Sequence, residues 1–132
     1  MKEVLEFLKS NKPFYLATMD GDQARVRPLG FVMEYDGKIF FGVGNHKNVY
    51  RQLKASPKVE ISGTDPESNW VRITGRAVFD ERPEVIEAAF TAMPQLKNIY
   101  NDPKAFQIAP FYLADAEAGF FDMKGGARTV KP

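Results

Sequence analysis

Closely spaced turn signals are the feature that most limits what this chain can fold into. Asp20-Gly21 and Asp36-Gly37 each separate two apolar runs, and such dipeptides are typical of tight hairpins between antiparallel strands. Ser56-Pro57 and Met93-Pro94 end runs that have helical spacing. The sequence therefore predicts short strands joined by tight turns, with helices inserted between them.

The predicted elements follow a definite order within one domain, residues 1–132. Pro28 lies inside the second strand, which places that part of the strand at an edge, a bulge or an opening. The tail from Gly125-Gly126 is expected to be loose, and the sequence leaves open whether this tail and residues 94–109 form a lid or are mobile. The order favours a mainly β fold, a small antiparallel barrel with helices at its ends. Helices are predicted at 3–9, 46–54 and 82–93, and strands at 14–19, 24–35, 38–43, 58–62, 69–79, 110–114 and 117–123.

The composition excludes several classes of protein. With no cysteine and one histidine, the chain lacks a disulfide scaffold, a thiolate nucleophile and a cysteine- or histidine-rich metal site, so no metal is predicted. A net charge of +1 argues against binding along nucleic acid by bulk charge. No apolar run is long enough for a spanning helix, and the amphipathic start is unlike a signal peptide. We therefore expect a cytoplasmic protein without a nucleic-acid or membrane partner.

The segment from Gly44 to Lys54 has the character of an anion-binding site. His46, Lys47 and Asn48 open a predicted helix that contains no acidic residue, although helix N-termini usually favour acids. Free backbone donors beside a cation bind phosphate readily. A basic, solvated surface helix gives the same pattern, and the segment alone fits the two interpretations about equally.

Two predicted strands carry arginines beside apolar or aromatic residues. Arg25 and Arg27 lie one pleat apart next to Pro28, where guanidinium groups could hold a phosphate or the polar edge of a planar ligand. An exposed strand face gives the same pattern and is the commoner case. On the strand at 69–79, Trp70 shares the non-core face with two arginines, which is typical of an interface centre or a ligand pocket.

The sequence offers no constellation for side-chain catalysis. The serines lie outside any nucleophile-elbow context, His46 has no orienting acid near it in sequence, and no carboxylate pair suggests glycosidase chemistry. No glycine-rich nucleotide fingerprint occurs. If the protein is an enzyme, its chemistry is expected to reside in a bound cofactor, and no catalytic side chain is assigned.

Taken in order, these segments resemble the pyridoxamine-5'-phosphate-oxidase-like, FMN-binding split-barrel superfamily. The resemblance implies a six-stranded antiparallel split barrel that forms a homodimer, with FMN at the subunit interface. Deazaflavin and haem occur in relatives and are the less expected cofactors. The matching segments are Phe14–Met19, Ala24–Val32, Asp36–Val49, Gln52-Leu53, Ser56–Val59 and Trp70–Ala77.

The resemblance also assigns residues to the expected cofactor. His46, Lys47 and Asn48 would hold the FMN phosphate, and Arg25 would reach the phosphate or the ribityl chain. Gln52 would lie near the ring or the phosphate helix. Trp70 and, less strongly, Phe121 would come from the partner subunit. The residues that would line the isoalloxazine ring are Val26, Arg27, Pro28, Leu29, Gly42 and Val43.

The C-terminal sequence narrows the expected activity. Residues 120–128 lack the Arg- and Asp-containing signature of true pyridoxamine phosphate oxidases, and Gly44–Lys47 looks more like the branch of nitroimidazole-resistance proteins and small flavin reductases. That branch implies a nitroreductase-like oxidoreductase, which passes electrons or hydride from reduced FMN to a small-molecule acceptor such as a nitro compound. The alternatives are an activity like pyridoxamine or pyridoxine 5'-phosphate oxidase, a non-catalytic flavin-binding module and, remotely, a nucleic-acid-binding barrel.

Overall fold

The computed structural model describes residues 1–102 and 104–132, and these form eight strands and three α-helices. The helices are α1 (Lys2–Ser10), α2 (Asn48–Ala55) and α3 (Pro83–Ala92), and a short 3₁₀ helix follows at Pro94–Asn98. The strands are β1 (Phe14–Asp20), β2 (Gln23–Leu29), β3 (Met33–Tyr35), β4 (Lys38–Gly44), β5 (Lys58–Thr64), β6 (Trp70–Phe79), β7 (Ile108–Phe121) and β8 (Ala127–Val130). All three predicted helices are confirmed, within two residues at their ends.

The strands form one antiparallel sheet in the order β2-β1-β5-β6-β7-β4-β3, and β8 pairs with β7. The two edge strands of this path, β2 and β3, follow each other in the chain and are joined by residues 30–32 alone. The Cα atoms of Leu29 and Met33 are therefore at most about 14 Å apart. The edges come close at that end, and the sheet curls into a barrel that stays split between them. The predicted antiparallel split barrel is confirmed, with eight strands in the described chain rather than six.

The predicted strand at 24–35 is in fact two strands. β2 pairs with β1 along its whole length and ends at Leu29, opposite Phe14. The next residues, Phe31 and Val32, are buried, and β3 then pairs with β4 instead of β1. Because these apolar residues are buried at the barrel end, the chain crosses there from one edge of the sheet to the other. The local sequence carries no pattern that would indicate this change of strand pairing from β1 to β4.

The C-terminal region differs most from the prediction. The two strands expected at 110–114 and 117–123 are the single strand β7, which runs through a register shift at Asp115, where φ is 55°. The tail expected to be loose is β8, in which Arg128 lies opposite Phe120. Arg128 also forms an ion pair with Glu3 of α1, so that pairing and charge both hold the tail to the barrel.

Two apolar clusters fill the molecule. The first occupies the barrel interior and includes Leu8 of α1 together with inward-facing strand residues such as Phe14, Ile61 and Phe111. The second joins β3 and β4 to α3 and the 3₁₀ helix, and consists of Phe31, Met33, Phe40, Val85, Ala89, Leu96 and Ile108. This second cluster holds the 3₁₀ helix beside the split. Across the described residues, no helix combines the length and apolar character needed to cross a membrane.

Candidate functional site

A cleft of about 340 Å³ lies where the barrel is split. Its walls come from the end of β2, the end of β4, the start of α2 and the connection between α3 and β7. The lining residues are Arg27, Pro28, Leu29, Gly30, Phe31, Gly42, Val43, Gly44, Lys47, Val49, Met93, Leu96, Ile99, Tyr100 and Ile108. The cleft exists because β2 and β3 pair with different strands and are joined only by residues 30–32. The topology of the sheet therefore creates the site.

The cleft brings together six of the residues that the sequence analysis connected with the cofactor. They come from two strands and the turn before α2: Arg27, Pro28, Leu29, Gly42, Val43 and Lys47. Gly42 is required here by packing, since a Cβ at that position would lie 2.7 Å from Cδ1 of Ile108. The result is a cleft with apolar sides and two cations.

A side-chain network fixes Arg27 in the cleft wall. Its guanidinium donates to Thr18 Oγ1 at 2.6 Å and to Gln52 Oε1 at 2.6 Å, and Thr18 itself donates to Gln52 at 2.7 Å. Burial, and next the neighbouring Arg25, lower the pKa of Arg27, but a guanidinium stays charged in a protein. Arg27 therefore presents a fixed positive charge, and Gln52 serves as its acceptor from α2.

The turn before α2 leaves Lys47 as an uncompensated cation. The first turn of α2 contains no acid, and within the described residues Lys47 forms no ion pair. The turn is clamped by two hydrogen bonds, from Asn45 N to Gln107 O at 2.9 Å and from Gln107 N to Asn45 Oδ1 at 3.0 Å. A cation beside free N–H groups at a helix start suits an anion.

His46 and Asn48 lie beside the cleft rather than in its wall. The His46 ring packs on Phe106, with ring centroids 4.0 Å apart, and is exposed. Asn48 accepts a hydrogen bond from Arg51. Asn48 and Gln52 line a neighbouring cavity of about 260 Å³. Asn48 and Gln52 therefore lie on the α2 side of Lys47 and Arg27.

The remaining predicted residues lie elsewhere on the chain. Arg25 is exposed and pairs with Asp20 at 3.3 Å. Val26 alternates with Arg27 along β2 and is 68% exposed on the outer face of the sheet. Trp70 stacks on Phe121, with centroids 5.7 Å apart, at the start of β6. None of these four residues lines the cleft.

Val26 belongs to an exposed apolar area on the outside of the sheet. Tyr15 and Met19 of β1 are 47% and 38% exposed and lie opposite Pro28 and Ala24 of β2. We call Tyr15, Met19 and Val26 the outer apolar face. Exposed apolar side chains grouped in this way are a candidate interaction area.

The sequence left the role of residues 94–109 open, and the structure places a wall of the cleft at residues 93–100. Met93, Leu96, Ile99 and Tyr100 close one side of the cleft. Their spacing of three and four residues is helical and could have indicated an apolar face. Burial raises the pKa of the Tyr100 phenol, which keeps it in its neutral, donating form.

Thr18 was also missed, and here the sequence carried a signal. It follows Phe14 and Leu16 at the inward-facing positions of β1 and is only 3% exposed. A hydroxyl at a core position of a strand requires a partner. That partner is the pair Arg27 and Gln52.

Comparison with known proteins agrees with the fold. A family model for pyridoxamine 5'-phosphate oxidase matches residues 1–115. No curated protein matches the chain. A NimC/NimA family protein from Clostridium acetobutylicum is 44% identical in sequence, with a TM-score of 0.91 over 98% of this chain and 90% of that one.

More distant structures share the fold alone. A pyridoxamine 5'-phosphate oxidase-related, FMN-binding protein from Nostoc punctiforme is 14% identical, with a TM-score of 0.66 over 98% of this chain and 91% of that chain. A haem-binding protein from Mycobacterium smegmatis is 16% identical, with a TM-score of 0.72 over 96% of this chain and 56% of that chain. The family model and the 44% identical relative both span most of the sequence. The resemblance carried by residues 14–77 is confirmed, and the chain belongs to the pyridoxamine 5'-phosphate oxidase family, in which a NimC/NimA protein is a near relative.

Proposed function

We propose that this protein binds FMN in the cleft, as a homodimer, and passes electrons from the reduced flavin to a small organic acceptor. The observation that carries the proposal is the division of the cleft: Lys47 and the start of α2 suit a phosphate, whereas Pro28, Leu29 and Val43 suit a flat apolar ring. FMN contains both parts. Bound FMN would supply the one- or two-electron chemistry that the side chains lack.

The chain's own residues would bind and orient. Lys47 would pair with the phosphate, with His46 and Asn48 flanking it. Arg27, held by Thr18 and Gln52, would place a fixed positive charge at the ring edge, where it stabilises negative charge. Arg25 would reach the phosphate or the ribityl chain from the open end of β2.

The outer apolar face supports the dimer. Tyr15, Met19 and Val26 are apolar and exposed in one protomer, and burying them against a second copy is favourable by roughly 25 cal/mol per Å² of apolar surface. Trp70 and Phe121 would enter the partner's flavin site across this interface. Two-fold pairing gives two equivalent sites.

The first experiment is an absorption spectrum of the purified protein before and after addition of FMN and desalting. We expect flavin bands at about one equivalent per chain. A protein that holds a Soret band instead would be a haem protein, and one that retains neither group would contradict the proposal.

A second experiment separates an enzyme from a flavin store. The flavin-loaded protein is reduced anaerobically with dithionite and mixed with nitrobenzene in a stopped-flow instrument. Reoxidation faster than that of free reduced FMN supports an oxidoreductase. Reoxidation slower than that of free reduced FMN indicates a module that only binds the cofactor.

A further inference from the structure

Residues 93–100, which follow α3, form a wall of the cleft that is separate from the strands proposed to hold the flavin. α3 ends at Ala92, the 3₁₀ helix follows, and Leu96 is buried in the second apolar cluster. Backbone hydrogen bonds from Ile99 N and Tyr100 N to Leu96 O, at 3.1 and 2.9 Å, fix the residues that come next. The wall is therefore anchored at Leu96 and carries Tyr100 to a defined place.

Tyr100 brings a hydrogen-bond donor to this wall. Its hydroxyl lies 3.2 Å from the position that a Cβ on Gly44 would occupy, so it reaches across to the end of β4. Its ring packs edge-on against Phe106, with centroids 5.8 Å apart. Among the residues that the structure describes, burial alone shifts the pKa of this phenol, and no hydrogen bond occupies its hydroxyl. A half-buried hydroxyl at a cleft wall with no partner among the described residues is available to a ligand.

The other groups on this wall limit what that ligand can be. Met93, Leu96 and Ile99 are apolar, and the described lining of the cleft includes no carboxylate. A cationic compound would find no counter-charge, and a strongly hydrated one would lose its water without replacement. A flat, uncharged compound with an oxygen acceptor at its edge satisfies both the apolar side chains and the phenol.

On the basis of the proposed flavin function, we propose that Tyr100 orients the electron acceptor by donating a hydrogen bond to a nitro or carbonyl oxygen of an uncharged aromatic compound. Tyr100 is thus a specificity-determining residue of the acceptor site. The apolar side chains from Met93 to Ile99 favour a compound with a flat apolar ring. The Tyr100 phenol favours one that carries a nitro or carbonyl oxygen. Binding by this wall does not require turnover and can be measured without it.

The test compares nitrobenzene with toluene, which has nearly the same shape but no oxygen. Dissociation constants are measured by equilibrium dialysis with the full chain in the presence of excess FMN. We expect Tyr100→Phe to weaken nitrobenzene binding by about two- to tenfold and to leave toluene binding unchanged, because only the hydrogen bond is lost. Tyr112→Phe is the matched control, since Tyr112 is a half-buried tyrosine of β7 outside the cleft.

The outcomes separate this inference from the proposed function. Equal weakening for both compounds would show that Tyr100 acts through shape alone, and unchanged binding of both would remove it from the site; either result overturns the inference. FMN affinity is measured in the same variants and is expected to be unchanged in Tyr100→Phe. A wild-type protein that retains no FMN contradicts the flavin function, whereas the difference between nitrobenzene and toluene is still measurable in the flavin-free protein.

Discussion

Lys47 is the residue on which cofactor binding is expected to depend most directly. It lies in the cleft wall at the start of an acid-free helix, with no ion pair among the described residues. A charge-assisted contact contributes about 1.5–3 kcal/mol, so Lys47→Ala is expected to weaken FMN binding by roughly ten- to a hundredfold. Flavin fluorescence quenching measures the affinity.

Two variants control the Lys47 experiment. Lys47→Arg keeps the cation and is expected to retain most of the affinity. Lys124→Ala removes an exposed lysine from the turn between β7 and β8, far along the chain from the cleft residues. If Lys47→Ala and Lys124→Ala bind FMN equally well, Lys47 does not contact the phosphate.

Thr18 tests whether the network around Arg27 also contributes to folding. Thr18→Val keeps the shape of the side chain but removes the acceptor for Arg27 and the donor to Gln52. We expect the free energy of unfolding to fall by about 1–2 kcal/mol, measured by urea denaturation without FMN. Thr74→Val, at an exposed position of β6, is expected to change it by less than about 0.5 kcal/mol. Equal stabilities of the two variants would mean that the network orients Arg27 without stabilising the fold.

At the scale of single residues, the sequence pointed to both cations that line the cleft, Arg27 and Lys47, but not to the apolar wall after α3. Arg27 and Lys47 were noticed as cations beside Pro28 and at the start of an acid-free helix, although an exposed surface gives the same patterns. Leu96 and Tyr100 do not stand out, because apolar residues at helical spacing are ordinary core residues in most sequences. Their place in the cleft follows only from how the chain after α3 packs.

At the scale of elements, Gly75 explains how β6 and β7 stay paired through a register shift. A Cβ on Gly75 would lie 2.8 Å from Cβ of Leu113 and 3.1 Å from the carbonyl oxygen of Ala114. Gly75→Ala must push the strands apart, and we expect a loss of about 1–3 kcal/mol in the free energy of unfolding. Gly30→Ala is the control for stability, since a Cβ there meets nothing within 4 Å. Urea denaturation of both variants measures the difference, and equal midpoints would contradict the crowding argument.

The elements that were predicted well are those with local causes. β1, β4 and the three helices have apolar residues at strand or helical spacing, bounded by turn residues. The local sequence therefore indicates where these elements end. The break between β2 and β3, the continuity of β7 and the pairing of β8 depend on partners far along the chain. Phe31 would be apolar both in a continuous strand and in a segment that crosses the barrel end. The pattern of apolar residues therefore cannot distinguish one long strand from two strands.

At the scale of the whole molecule, only some of the residues predicted to bind the cofactor line the cleft. Trp70 and Phe121 stack on each other on β6 and β7, and Val26 faces outward from β2. Three residues expected to touch the flavin, Val26, Trp70 and Phe121, thus lie outside the cleft of a single chain. If the dimer forms as proposed, cofactor affinity and dimerisation are coupled, because each copy completes the other's site.

Val26→Asp tests that coupling. Val26 is 68% exposed in one protomer, so a charge there costs the monomer little, but burying an unpaired carboxylate in an interface is strongly unfavourable. We expect the variant to sediment as a folded monomer, with circular dichroism unchanged, and to bind FMN at least tenfold more weakly than the wild type.

The matched control for that test is Met123→Asp. Met123 is 76% exposed, and it lies in the turn between β7 and β8, not on the outer apolar face. Its replacement is expected to leave both the dimer and the FMN affinity unchanged, measured by sedimentation equilibrium and fluorescence quenching. A Val26→Asp variant that stays dimeric would move the interface away from β1 and β2. A monomeric variant that keeps full FMN affinity would instead place the whole flavin site within one chain, and Trp70 and Phe121 would then have no role in it.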